Sequence, residues 1–267
     1  MPTIGFIGTG NMGGALARAA AKNAGNRVLL FNRTQSKAEA LAKQIGAVAL
    51  DVETLVRDSD FVFLGVKPQM LQGLAETLTP LLQAREDRFV LVTMAAGTSI
   101  EKLLGLLGGE WPVIRIMPNT PASIGQGMIL YSPGPGVTAG EEEAFLTAMG
   151  AAGRLLKLEE RLIDAGSSVS GCGPAFADLF IEALADGGVA CGLPRAKAVL
   201  YAEQMLLGTA ALALETGAHP GAMKDAVCSP GGSTIQGVRA LEAGGFRSAA
   251  FEAVIAAYEK TLELGRQ

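Results

Sequence analysis

The chain is short of the residues on which most catalytic devices are built. It has one histidine, His219, and three cysteines, Cys172, Cys191 and Cys228, with no C-x-x-C spacing. A serine-hydrolase triad or a histidine-based metal site would rest on that single imidazole. An odd set of scattered thiols suits neither a disulfide framework nor zinc, so no metal is expected and a reducing, cytoplasmic compartment fits best. Positive charge is sparse as well. No basic block exceeds two residues, and 22 Lys and Arg against 26 Asp and Glu leave a net charge of −4. The footprint of a nucleic-acid binder is therefore missing. The longest uncharged tracts, 1–17, 116–140 and 165–177, are interrupted by Gly, Pro, Asn and Ser. None supplies the unbroken run of about 18 apolar residues that a membrane span needs. No positive segment precedes the first strand, so a signal or transit peptide is not expected either.

What the chain does have is apolar mass. Hydrophobic residues make up 49% and mean hydropathy is +0.32, enough to offset the ordering entropy that keeps disordered chains unfolded. Its 267 residues correspond to roughly 1.8 domains at the usual size. Without a membrane span, the surplus hydrophobicity needs another outlet, and helices apolar on more than one face point to association between subunits. Glycine is also in excess, at 35 residues, but has no period of three, which excludes a collagen-like chain.

Two halves differ in pattern. Through the first, short apolar runs at 3–7, 27–31, 60–66, 89–93 and 113–117 alternate with helical patterns at 13–24, 36–45, 71–82 and 100–107. Strands rich in Val, Ile, Leu and Phe between helices predict βαβ units and a buried parallel sheet. The segment 131–140 (YSPGPGVTAG) reads as a loop from its Pro and Gly content. A helix at 141–149 and a strand at 154–158 close this half. From about 163 the strand signals stop, and Ala-rich helical patterns run at 174–190, 194–216, 233–243 and 247–264. The expected division is 1–162, an α/β domain with a doubly wound parallel sheet, and 163–267, an all-α domain.

The most specific local signal is at the start. An apolar strand runs into Gly8-Thr9-Gly10-Asn11-Met12-Gly13 and then a helix. In such G-x-G-x-x-G turns the first glycine permits the tight turn, the second lets backbone approach a pyrophosphate, and the third lets helix pack on strand. The helix start then presents free N–H groups and the positive end of its dipole. A dinucleotide is the expected ligand; the competing reading is a structural turn in a glycine-rich chain. At the end of the second strand, where a carboxylate would hold the ribose hydroxyls of NAD, stand Asn32, Arg33 and Thr34. No acid there repels a 2′-phosphate, and Arg33 can meet one with a charge-assisted bond. NADPH is the expected cofactor, with NADH as the alternative.

Three further segments are too polar and turn-rich for core. Val66-Lys67-Pro68-Gln69 and Met117-Pro118-Asn119-Thr120-Pro121 follow strands, at the carboxyl edge where open α/β sheets bind ligands. Ser229-Pro230-Gly231-Gly232-Ser233-Thr234 opens a late helix. There a nest of backbone N–H groups beside two hydroxyls suits a small carboxylate. Each could equally be a turn followed by an N-cap.

With GTGNMG, VKPQ, MPNTPA, SGCGPAF (170–176) and VCSPGGSTIQGVRALE (227–242) in that order, the chain resembles the pyrroline-5-carboxylate reductase family over nearly its whole length. The resemblance implies an N-terminal Rossmann domain and a helical C-terminal domain that builds an intertwined dimer, in some members a larger ring of dimers. It implies reduction of the cyclic imine 1-pyrroline-5-carboxylate to L-proline with NADPH or NADH. Carried over by that resemblance, residues Gly8 to Gly13 with Asn32 and Arg33 bind the adenosine and phosphate end of the cofactor. Val66, Lys67 and Pro68, Ala95 and Ala96, and Pro118 and Asn119 line its nicotinamide side. Ser229 and the backbone of Gly231, Gly232, Ser233 and Thr234 hold the substrate carboxylate, and the Thr234 hydroxyl bonds the ring nitrogen. The chain departs from the family's pattern at Cys172, Phe176, Gly217 and Val52.

An imine carbon is already electrophilic, so a chain with almost no histidine can reduce it by orientation rather than strong acid catalysis. Lys67 is an alternative acid, though a lysine after a strand is commonly a surface residue. Two other readings stay open: a relative acting on another imine or on a hydroxy or keto acid, and an NADP-binding redox sensor without turnover. The hydroxyacid enzymes would want a lysine in a helical motif of the second half, and Lys197 and Lys224 do not sit in one.

Overall fold

The computed structural model describes residues 1–266. Eight strands form one sheet in the order β3-β2-β1-β4-β5-β6-β7-β8. They are β1 (Thr3–Ile7), β2 (Arg27–Phe31), β3 (Val48–Ala49), β4 (Phe61–Leu64), β5 (Val90–Thr93), β6 (Val113–Met117), β7 (Gly127–Pro133) and β8 (Gly153–Lys157). β1 to β6 run parallel, β7 is antiparallel to β6, and β8 is parallel to β7. The order turns back at β1, so β1 and β4 are neighbours across the point where the sheet's winding reverses. That is where a doubly wound sheet opens a crevice at its carboxyl edge.

The sheet is covered on both faces, which is why β4, β5 and β6 are buried along their whole length. On one face lie α1 (Asn11–Lys22), α2 (Gln35–Ile45) and α6 (Ala139–Met149), contributing Leu16, Leu41 and Phe145 to a core with Phe6 and Phe63. The Phe6 and Phe63 rings are 4.5 Å apart, and Phe145 stacks 6.4 Å from Phe63. On the other face lie α3 (Val52–Asp58), α4 (Leu71–Gln83) and α5 (Ile100–Leu107), with Leu55, Leu78 and Leu103 packed on Ile7, Leu64 and Leu91. Local signals start these helices: Asp51 caps α3, Ser99 caps α5, and Thr138 with Glu141 forms a reciprocal capping box at α6.

The expected strands at 3–7, 27–31 and 113–117 coincide with β1, β2 and β6. The one expected at 60–66 ends at Leu64, because Gly65 and Val66 turn away at the crevice. The segment 131–140, expected as a loop, instead begins inside β7. Tyr131 and Ser132 pair with Ile116 and Arg115 of β6, and only residues 134–138 form the turn before α6 starts at Ala139. β3 and α3 are short elements that carry too few residues to show a period.

Contacts divide the chain into two compact units. One comprises residues 1–172 together with the chain from Ala257 onward, and the other is Gly173–Ala256. Helix α7 (Ile163–Ser170), past the expected division at 162, packs with the sheet. Its Asp164 takes the buried Arg115 of β6 at 2.5 Å. The second unit contains α8 (Gly173–Ala190), α9 (Arg195–Thr216), α10 (Pro220–Ala226), α11 (Ser233–Ala243) and the first half of α12 (Phe246–Arg266).

This second unit has almost no core of its own. Its buried hydrophobics among the described residues are Ala185, Ala198 and Ala202. Leu179, Leu207, Leu214 and Phe251 are each more than half exposed. Cys191 is exposed and Cys172 and Cys228 are half-buried, so in the single chain the cysteines are not the buried small residues their type suggests. No helix among the described residues is long and apolar enough to cross a membrane.

Candidate functional site

The glycine turn after β1 is shaped by three close approaches. A Cβ on Gly13 would stand 2.1 Å from the Gly8 carbonyl oxygen, so glycine there lets α1 pack on the strand. A Cβ on Gly8 would stand 2.7 Å from the Gly65 carbonyl, and one on Gly65 would stand 2.6 Å from that of Gly8. Gly65 was not among the expected site residues, although a glycine directly after an apolar strand was a visible signal. Gly10 is different in kind. A Cβ there meets nothing within 4 Å, and its backbone, at φ −67° and ψ −168°, is open to any residue. No protein atom demands glycine at this position, so the space it leaves suits a ligand.

Gly10 is also the N-cap of α1. No side chain caps this helix start, and its first turn carries no acid. The free N–H groups and the dipole's positive end therefore face outward. Thr9 Oγ1 is buried with no hydrogen-bond partner among the described residues. The adjacent cation-bearing walls complete the picture. A cleft of about 590 Å³ at the β1–β4 junction is lined by Gly8, Gly10, Asn32, Arg33, Val66 and Lys67. A second, of about 500 Å³, runs over α1 and α2 past Thr9, Asn11, Arg18, Asn32, Lys37 and Ser123. Neither is lined by a carboxylate. Open backbone at Gly10, an unblocked helix start and cationic walls fit the pyrophosphate and phosphates of a dinucleotide.

Asn32 braces this site from within. Its Oδ1 accepts from Thr9 N at 3.2 Å and its Nδ2 donates to the Thr34 carbonyl at 3.1 Å, tying the glycine turn to the end of β2. Arg33 is exposed at the cleft. Met12, half-buried in the first turn of α1, and the buried Gly13 line neither cleft.

Of the remaining expected residues of the first unit, Val66 and Lys67 line the first cleft, and Pro68, Ala95, Ala96, Pro118 and Asn119 lie along the same carboxyl edge outside both clefts. Lys67 is exposed and precedes a short turn of 3₁₀ helix that Pro68 begins. Ala95 and Ala96 follow β5, Ala95 fully buried and Ala96 packed on Met117, Leu130 and Ile163. Pro118 and Asn119 follow β6 and are buried. The Asn119 amide is held by the protein at both ends: its Nδ2 donates to the Ser170 carbonyl at 3.0 Å and its Oδ1 accepts from Met128 N at 2.9 Å.

In the second unit, Gly231 has φ +70°, the left-handed region that glycine occupies without strain, and this turns the chain into α11. Gly232 N donates to the Ser229 carbonyl at 3.0 Å, and a Cβ on Gly232 would stand 2.6 Å from Ser229 Oγ. The Ser229 hydroxyl therefore lies against the helix start. No side chain caps α11, and its first turn has no acid. Ser233 and Thr234 are exposed in that turn, and neither hydroxyl has a hydrogen-bond partner among the described residues. This is a nest of free donors built for a small anion. His219 has a different job: its Nδ1 accepts from Gly221 N at 3.0 Å and caps α10.

Comparison with known proteins agrees with both halves. A family model described as pyrroline-5-carboxylate reductase dimerisation matches residues 160–264, and one described as NADP oxidoreductase coenzyme F420-dependent matches 3–97. The chain is 41% identical to the pyrroline-5-carboxylate reductase of Glycine max, over 98% of this chain and 96% of the relative. It is 38% identical to that of Escherichia coli (strain K12), over 98% of each. A crystal structure of pyrroline carboxylate reductase from Plasmodium falciparum with NADP bound matches at a TM-score of 0.88 and 28% identity, covering 99% of this chain and 98% of that one.

Proposed function

The chain belongs to the pyrroline-5-carboxylate reductase family, and from that premise we propose that it reduces 1-pyrroline-5-carboxylate to L-proline with NADPH. The observation that carries this reading is the start of α11, where uncapped N–H groups and the unpartnered hydroxyls of Ser233 and Thr234 await an anion. A redox sensor without turnover has no need of such a nest.

NADPH, when bound, supplies the hydride that the imine carbon accepts. Gly8 and Gly10 give its pyrophosphate room, and the first turn of α1 donates to the phosphate oxygens. Arg33 meets the 2′-phosphate, with Asn32 fixing the turn beside it. Val66, Lys67, Pro68, Ala95, Ala96, Pro118 and Asn119 form the nicotinamide side. Ser229 and the N–H groups of Gly231, Ser233 and Thr234 anchor the substrate carboxylate, while the Gly232 N–H, held on the Ser229 carbonyl, shapes the turn; this fixes where the imine lies. The Thr234 hydroxyl bonds the ring nitrogen as it becomes an amine. A hydroxyl is a weak acid, so its part is orientation and charge stabilisation.

The oligomer proposed is a homodimer through the C-terminal helices, with a ring of dimers as its larger form. What supports it is a unit with three buried alanines and a surface of exposed leucines, too little burial to hold itself together. The three free cysteines support a cytoplasmic setting. The test is NADPH oxidation with pyrroline-5-carboxylate beside a panel of 2-keto and 3-hydroxy acids. Turnover confined to the cyclic imine is expected. Turnover on keto acids alone, or binding without turnover, would overturn the reading.

A further inference from the structure

The loop that leaves β5 is held in place by the far end of the chain. Thr98 N donates to the Ala95 carbonyl at 3.2 Å, and Gly97, at the third position of that turn, has φ +68°. This is the position of a type II turn that glycine fills without strain. Gly97 faces Gly265 in the last turn of α12. A Cβ on Gly97 would stand 2.9 Å from both Gly265 N and the Thr261 carbonyl, and a Cβ on Gly265 would stand 2.6 Å from the Gly97 carbonyl. Two backbones meet here with no side chain between them. Lys102, in α5, donates from Nζ to the Gly265 carbonyl at 2.9 Å. A cation at a helix carboxyl end is favourable for both. From the other side Ile100 N donates to the Glu160 carboxylate at 2.6 Å, and Glu160 faces the buried Arg115 at 3.6 Å.

We propose that the last turn of α12 is a strut that sets the position of the Ala95–Ala96 backbone toward the nicotinamide, with Gly265 and Lys102 as positioning residues. This rests on the reading above that Ala95 and Ala96 line the nicotinamide side. Neither positioning residue touches cofactor or substrate; both act through Gly97. The side chain that Gly265 lacks is what permits the contact. Even one methyl there forces helix and loop apart by about 0.8 Å to reach ordinary van der Waals distance, and misplacements of about 1 Å remote from the chemistry can cost on the order of 100-fold in rate.

The test compares four variants of the full-length enzyme by steady-state kinetics, with KM measured separately for NADPH and for pyrroline-5-carboxylate. Gly265→Val is expected to lower kcat/KM for NADPH on the order of 10- to 100-fold, chiefly through KM for NADPH, while KM for pyrroline-5-carboxylate stays within about twofold. Lys102→Met, an exposed change that leaves the packing intact, is expected to move the same parameter in the same direction by less, and Lys102→Arg to restore it. Ala96→Leu reports on the underlying reading. If it raises KM for NADPH while Gly265→Val and Lys102→Met leave it within twofold of the parent, the strut is refuted and the cofactor assignment stands. If Ala96→Leu leaves NADPH binding untouched, the assignment of the loop fails first and the proposal falls with it.

Discussion

Gly10→Ala separates a glycine kept for a ligand from one kept for the fold. Gly10 sits in an ordinary backbone conformation with open space where a Cβ would go. The methyl therefore costs the fold only the difference between glycine and alanine at an N-cap, about 0.5–1 kcal/mol. In a chain of this length that lowers Tm by about 2–4 °C at most. Cofactor binding should suffer far more. A methyl at that point keeps the pyrophosphate from the backbone, and one lost hydrogen bond to a charged group is worth about 1.5–3 kcal/mol. That corresponds to roughly 10- to 150-fold in Kd. Fluorescence titration with NADPH, run beside thermal denaturation, measures both. Gly13→Ala is the contrast: its methyl would stand 2.1 Å from the Gly8 carbonyl, so α1 must lift from β1 and Tm should fall sharply. A Gly10→Ala protein that binds NADPH within twofold of the parent would refute the placement of the pyrophosphate.

Thr234→Ala should lose on the order of 10- to 1000-fold in kcat/KM, as when a positioned donor is removed, with Tm unchanged because the hydroxyl has no partner among the described residues; an unchanged kcat/KM removes it from the mechanism. Arg33→Ala should reduce kcat/KM for NADPH about 10-fold or more while leaving NADH nearly unaffected, and a parent enzyme that clearly prefers NADH would count against the 2′-phosphate contact. Tyr131 is buried and its hydroxyl donates to the Glu142 carboxylate at 2.8 Å. Burial first, then that acceptor and its charge, push its pKa up from 10.0 to about 12. The folded state thus holds a proton that the unfolded state releases, so this contribution to stability is complete below pH 10 and is lost as pH rises toward 12. In Tyr131→Phe that part of the alkaline stability loss should disappear, as followed by circular dichroism across the range.

The sequence was most legible where physics leaves few options. β1, β2 and β6 are runs buried on both faces, and α5 is framed by Ser99 and Gly108, so pattern and boundary agree. The glycine turn could be read because tight turn, close approach and helix packing each demand glycine at a fixed spacing. β7 was obscured because Pro133 and the glycines after it dominate the composition around a strand that owes its form to pairing with β6 and β8. Roles that depend on distant partners left no local trace. Asn119 looked like a ligand contact, yet its amide ties Ser170 to Met128. Gly265 looked like one more glycine near the end of a helix, and only the fold reveals that it meets Gly97.

The reaction converts one cyclic imine to one amino acid at the expense of one NADPH. Its most direct test is to follow NADPH consumption and L-proline formation together in a single reaction with pyrroline-5-carboxylate. The two are expected in a one-to-one ratio. NADPH bound but not consumed, or consumed without the appearance of proline, would contradict it.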